Sequence, residues 1–133
     1  MSHCHYHAVS SVRRWGGKPE EYIALHSWFD ATKAILAGPR HRALRHHAEG
    51  IFALEHEFGV TITNSEGRDV PVRLIGEQHV MEDLGHIPSF ADWARLLTPA
   101  AWITHGNPEG SPGLDPAITG AKPPIPKGIS DVQ

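Results

Sequence analysis

Apolar and polar positions along the chain alternate first with a helical period, then with a strand period, then with a helical one again. Ala8 to Trp15 reads as a short helix closed by Gly16-Gly17. Tyr22, Leu25, Phe29, Thr32 and Leu36 recur at three- and four-residue steps, so 19–37 reads as an amphipathic helix with Pro19 at its first position. Gly38-Pro39 stops it. A second stripe, Leu44, His47, Ala48, Ile51, Leu54 and Phe58, predicts a helix over 40–58 that ends at Gly59. The period then shortens. Val60 to Thr63 and Val70 to Ile75 read as two strands around the turn residues 64–69, a hairpin near 60–75 with Pro71 on an edge. Glu77 to Leu84 is helical up to Gly85. Ser89 with Asp92 three residues on resembles a capping box, for a helix that points Phe90, Trp93, Ala94 and Leu97 inward and ends at Pro99. The expected fold class is α+β, mainly α, a small helical domain with one β-hairpin.

Composition sets the limits of this domain. The chain has 133 residues, enough for one domain. The last 28 residues carry 5 Gly and 6 Pro but no aromatic, too little apolar surface to offset ordering, so 1–105 is expected to fold and 106–133 to form a flexible tail. No apolar run reaches the roughly 20 residues of a membrane span, and the start has no signal-peptide core. A single cysteine, Cys4, excludes an internal disulfide. These features point to the cytoplasm and to no membrane partner. The formal charge of −3 argues against a dedicated nucleic-acid binder. What stands out is histidine, 11 residues, all between His3 and His105.

Several strings stand out as a set. They are Tyr6-His7-Ala8, Trp15-Gly16-Gly17-Lys18-Pro19-Glu20, His26-Ser27-Trp28-Phe29-Asp30, the run from Arg40 to Phe52 (RHRALRHHAEGIF), and Gly76-Glu77-Gln78-His79-Val80 leading to Glu82-Asp83-Leu84-Gly85. The set resembles a family of short, His-rich bacterial and phage proteins, a domain of unknown function, over about residues 6–102. The resemblance implies no activity and no catalytic residue. Gly38-Pro39 departs from the acidic-aromatic pair usual before Arg40, and His3-Cys4-His5 and the tail fall outside it.

Metal binding requires several imidazoles or carboxylates at one point. His26 with Asp30 and His79 with Asp83 are spaced to share a helix face, and His47 lies in an apolar stripe. With His7 added, the expected ligands are His7, His26, Asp30, His47, His79 and Asp83. Mixed His and carboxylate ligands suit a divalent transition metal, Zn, Fe, Mn or Ni. Such an ion would activate water, which suggests a metal-dependent hydrolase. No HExxH, CxxC or nucleotide-binding fingerprint is present.

Charge order adds a second expectation. Arg40, Arg42, Arg45 and His46 crowd the start of the predicted 40–58 helix, against the preference of the helix dipole. They form a candidate anion site, which would suit a phosphate-containing small molecule. The alternative is a non-enzymatic bacterial or phage accessory protein that meets a protein or nucleic acid through this His/Arg-rich helix. Nucleic acid is the less favoured partner. Whether the chain is an enzyme stays open at this point, as does its oligomeric state.

Overall fold

The computed structural model describes residues 2–106, with side chains from Cys4 onward. The expected flexible tail, 106–133, lies outside the described residues except for Gly106. The chain divides into two compact units between Trp93 and Ala94. The first holds the elements expected from the sequence, an α+β arrangement that is mainly helical with one hairpin.

Helix α1 spans Ser2–Trp15, beginning well before Ala8. The polar start is helical because the buried face of α1 is itself largely polar: His7, Ala8 and Ser11 are all enclosed. The helix ends where Gly16 and Gly17 take positive φ, +86° and +82°, which a side chain would resist.

The expected 19–37 helix is in three pieces. A 3-10 turn at Pro19–Glu21 leads into α2, Ile23–Asp30, and a second 3-10 turn follows at Ala31–Ala34. Its stripe is as expected in Tyr22, Leu25, Phe29 and Thr32, all buried. The tightening at its end has a local cause. The Thr32 hydroxyl lies 3.3 Å from the carbonyls of both Phe29 and His41 and 2.7 Å from His41 Nδ1, which ties the helix end to the next segment.

The expected 40–58 helix is also broken, and here the break matters for function. A 3-10 turn at Pro39–His41 runs into one turn of helix, α3, Arg42–Arg45, and then α4 begins afresh at Ala48–Phe58. His46 (ψ 71°) and His47 (φ −162°, ψ 172°) leave helical geometry between them. His47 caps α4, its Nδ1 accepting from the Gly50 amide at 2.9 Å, and the Ala48 amide donates to Pro88 O at 2.8 Å.

Strands β1, Thr61–Thr63, and β2, Asp69–Pro71, pair antiparallel with Ile62 opposite Val70. The second strand is shorter than expected, because Val72 already opens α5, Val72–Leu84. Pro71 ends the ladder and stands at the helix N-cap. Val72, Ile75, Gly76, His79 and Val80 are the buried face of that helix, a three- and four-residue spacing hidden within an apparently strand-like run. A side chain at Gly76 would press on Ile51 and Leu54, so glycine sets the close approach of α5 to α4. Helix α6, Phe90–Ala94, is shorter than expected. Its capping box is present, with Ser89 N donating to Asp92 Oδ2 at 2.9 Å, but Phe90 and Leu97 are exposed.

The apolar core gathers Ala8, Tyr22, Leu25, Phe29, Ile51, Leu54, Val70, Val72, Ile75 and Val80. Against it lie the rings of His7, His26, His41, His46 and His79, each at most 2% exposed. Among the described residues no helix is long and apolar enough to cross a membrane.

Candidate metal centre

Burying five imidazoles against an apolar core is costly unless their nitrogens find partners. Those partners come from helix faces. Helix α2 presents His26 and Asp30 one turn apart. Helix α5 presents Gln78, His79, Glu82 and Asp83. Helix α1 supplies His7, Ser10 and Ser11, and the segment around α3 supplies His41, Arg42 and His46.

Two carboxylates form the centre. Asp83 Oδ2 lies 2.9 Å from His46 Nε2 and 3.2 Å from His79 Nε2. Asp30 Oδ1 lies 3.7 Å from His79 Nε2, 3.9 Å from His46 Nε2 and 4.0 Å from His41 Nε2. One ligand atom from each of Asp30, His46, His79 and Asp83 falls within 4.8 Å of the other three, so this group can hold a metal ion. Ligand atoms about 2.1 Å from a tetrahedral ion stand about 3.4 Å from each other, which is the scale of these separations. His79 Nε2 makes no hydrogen bond, although it is fully buried and faces both carboxylates.

A second group, His7, His26 and His79, also comes together. Its nitrogens are already engaged. His7 Nδ1 meets Glu82 Oε1 at 2.7 Å and Nε2 meets Asp83 Oδ1 at 3.2 Å. His26 Nε2 meets Ser11 Oγ at 2.8 Å, and His26 Nδ1 meets His79 Nδ1 at 3.0 Å. In the Asp30–His46–His79–Asp83 group His46 Nε2 is engaged too, with Asp83 Oδ2 at 2.9 Å, but its two carboxylates can balance a divalent ion, which makes it the better vessel.

Electrostatics follow this division. Burial works against charge on His7, but Asp83 and Glu82 more than offset it and raise its pKa above the ordinary value. Burial pushes His26 down to about 2, helped by His79 and His7. Burial also lowers His41, with His46 adding to it, and lowers His46 in spite of Asp83. Burial would raise both central carboxylates. The facing His79 nevertheless holds Asp30 at about 2, and His46, His7 and His79 hold Asp83 far below the carboxylate range. Glu82 is lowered against burial by Ser10, His7 and Gln78.

These directions fix a pH dependence for the metal-free protein. Histidines with lowered pKa stabilise the fold above about 6.5, and that stability is lost as pH falls from there. Each contributes a slope of at most about 1.4 kcal/mol per pH unit. His26, His41 and His46 act in this sense, and His7, being raised, acts in the opposite one. Asp30, Asp83 and Glu82 add a further loss below about pH 4. The expected result in chelator-treated protein is a melting temperature that falls from pH 7 to 5 and falls faster below 4. A melting temperature that is flat or rising over pH 7–5 contradicts the charge assignment.

Of the six ligands expected from the sequence, five lie in these two groups: His7, His26, Asp30, His79 and Asp83. His47 does not join them. It caps α4 and packs its ring 5.2 Å from that of Phe90, and its neighbour His46 stands in the cluster instead. The four expected anion-binding residues do not form one group, although Arg42 and His46 both meet Asp83. Arg42 Nη2 is 3.8 Å from Asp83 Oδ1, Arg45 stacks 3.9 Å over Trp28, Arg40 is exposed, and His46 is buried among the carboxylates. Sequence reasoning missed His41, Ser11, Gln78 and Glu82. Glu82 and Gln78 do lie on the same face of α5 as His79, which is the signal that would have found them. Cys4 Sγ donates to Asp30 Oδ2 at 3.6 Å, which brings the N-terminal end to the edge of the site.

The comparison with protein families bears out the expected membership in a domain of unknown function. A family model described as a domain of unknown function (DUF6915) matches residues 2–103. The chain belongs to that family. The match starts at residue 2, so His3-Cys4-His5 falls inside the family region, contrary to expectation. The family region contains every residue of the two clusters. No curated protein and no solved structure matches the chain.

Proposed function

We propose that this cytoplasmic protein binds one divalent transition metal through Asp30, His46, His79 and Asp83, and uses it to hydrolyse a phosphate-containing substrate. The observation that supports the metal is the fully buried His79 Nε2, which faces two carboxylates and makes no hydrogen bond. A buried nitrogen left so is costly, and an ion between it and the carboxylates removes the cost. The charges also fit. Two carboxylates balance a divalent ion, while His7, with its raised pKa, balances Glu82. Imidazole and carboxylate together suit Zn, Fe, Mn or Ni. A bound ion would lower the pKa of a coordinated water towards neutrality. Arg42, partly exposed beside Asp83, is placed to meet a phosphate oxygen.

The reading as a bacterial or phage accessory protein needs a His/Arg-rich helical surface. That helix is interrupted, and His41, His46 and His47 are buried, which leaves the arginines alone as contact groups. It ranks second for that reason.

The test is elemental analysis of untagged protein with three variants, followed by a phosphoester screen of the loaded protein. The wild type is expected to hold one ion per chain, and His46→Ala to lose it. His47→Ala should keep the ion and lose about 1 kcal/mol of stability through its cap. Loss of metal in His47→Ala with retention in His46→Ala would reverse the ligand assignment. Loaded wild type that cleaves no phosphoester, or that cleaves as well as an Arg42→Ala variant, would remove the hydrolase part and leave the metal.

A further inference from the structure

The unpartnered nitrogen of His79 raises the question of what decides which of its nitrogens carries the proton. The hydrogen bonds behind the ring answer it, starting from a group with no ambiguity. The Gln78 Nε2 position lies 2.9 Å from His7 O and 3.0 Å from Glu82 Oε1. A backbone carbonyl and a carboxylate only accept, so that end of the side chain is the NH2. The other end is the carbonyl oxygen, and it sits 2.6 Å from Ser11 Oγ. The His7 carbonyl also lies within reach of Ser11 Oγ, at 3.1 Å, but two oxygens 2.6 Å apart require a proton between them, and only Ser11 has one to give. Ser11 Oγ must then accept from His26 Nε2, 2.8 Å away. His26 is fully buried and meets no carboxylate at hydrogen-bonding distance, so it is neutral and carries only that proton. Its Nδ1 is thus a lone pair facing His79 Nδ1 at 3.0 Å. His79 must donate there from Nδ1, which leaves Nε2, 3.2 Å from Asp83 Oδ2, as the nitrogen through which the ring can take an ion.

We infer that Ser11, Gln78 and His26 form a proton-ordered chain that holds His79 in the tautomer whose Nε2 can bind a metal. They are positioning residues, acting on the ion through His79. The inference rests on the metal reading above and adds to it the reason why His79, rather than His26, is the ligand. It also accounts for a buried serine and a buried glutamine in a helical core, where apolar residues would pack at less cost.

The first experiment is long-range proton–nitrogen NMR of the histidine rings in zinc-loaded wild-type protein. It should place the proton of His79 on Nδ1 and that of His26 on Nε2. The second is zinc affinity by competition with a chromophoric chelator, for wild type, Ser11→Ala and Ser11→Thr. Ser11→Ala removes the acceptor that fixes His26, and should weaken zinc binding about 10- to 100-fold. Ser11→Thr keeps the hydroxyl and should restore most of it. An unprotonated Nδ1 on His79, or unchanged zinc affinity in a folded Ser11→Ala protein, would overturn the positioning chain while leaving the metal site standing. A wild type that takes up none of zinc, iron, manganese and nickel overturns the metal reading and the positioning role with it. The spectrum of the metal-free protein then still reports whether the proton order exists as a core network. If Ser11→Ala does not fold, the ring spectrum of the wild type decides alone.

Discussion

Asp83→Asn is expected to empty the metal centre and to weaken the fold even before metal is considered. Asp83 is the point on which three imidazoles converge: His46 Nε2 at 2.9 Å, and His79 Nε2 and His7 Nε2 each at 3.2 Å. Its side chain is only 9% exposed, so water does little to screen these contacts. His46 and His7 hold its carboxylate far below the normal range, which means that they stabilise the folded state in return. The amide keeps the shape and loses the charge. One of its two acceptor sites becomes a donor, turned towards either His7 or the pair His46 and His79. Breaking a buried charged pair by removing one partner costs about 3–5 kcal/mol. A carboxylate with depressed pKa contributes stability above its unfolded pKa, so the loss should be full at pH 7 and should shrink as pH falls below about 4. Denaturant unfolding of chelator-treated wild type and Asp83→Asn at pH 7 and pH 3.5 measures both parts. Elemental analysis at pH 7 should find no bound ion in the variant. Equal stability of the two proteins at pH 7, or full metal occupancy of Asp83→Asn, would remove Asp83 from the centre.

The parts of this centre that were legible in the sequence are those carried by regular helix. His26 with Asp30 and His79 with Asp83 are four residues apart, and four residues along a helix is one face. Nothing beyond that periodicity was needed, and α2 and α5 are regular over those residues. His7 was legible only as a candidate. Its role depends on Glu82, 75 positions away, and sequence spacing carries no information on such a pair. The error between His46 and His47 has a different origin. In an unbroken helix the apolar stripe turns His47 inward and leaves His46 about 100° away from it. The break reverses the pair. It arises from tertiary contacts, the Ala48 amide on Pro88 O among them, and no local pattern predicts a carbonyl arriving from 40 residues downstream. The start of α5 was hidden for a similar reason. Val70 to Ile75 is β-branched and apolar enough for a strand, and only the pairing partner Thr61 shows that the ladder stops at Pro71.

Gly50 is the residue that lets α4 start this close behind α3, and Gly50→Ala is expected to dismantle the site from a distance. Gly50 lies in the first turn of α4 and is buried. A Cβ built there would overlap the backbone carbonyl oxygen of Arg45, with the Arg45 carbonyl carbon and Cα close behind it. All three atoms are backbone, so no side-chain rotation relieves the overlap. The last residue of α3 must therefore move away from α4, or α4 must shift. Either movement displaces His46, the next residue, which holds Asp83 at 2.9 Å. It also disturbs His47, whose Nδ1 accepts from the Gly50 amide. In an ordinary exposed helix, glycine to alanine stabilises by about 1 kcal/mol. Here the opposite sign is expected, a destabilisation of about 2–4 kcal/mol, because overlap with fixed backbone exceeds the gain in propensity. Metal stoichiometry should fall with it, although Gly50 is not a ligand and has no side chain to offer. The decisive comparison is with Ala53→Gly, an exposed position of the same helix, which should cost about 1 kcal/mol and leave the metal bound. A Gly50→Ala protein that is more stable than wild type and keeps its ion would show that α3 and α4 can join into the continuous helix the sequence pattern suggests, and that the interruption at His46 and His47 is not what brings His46 to the carboxylates.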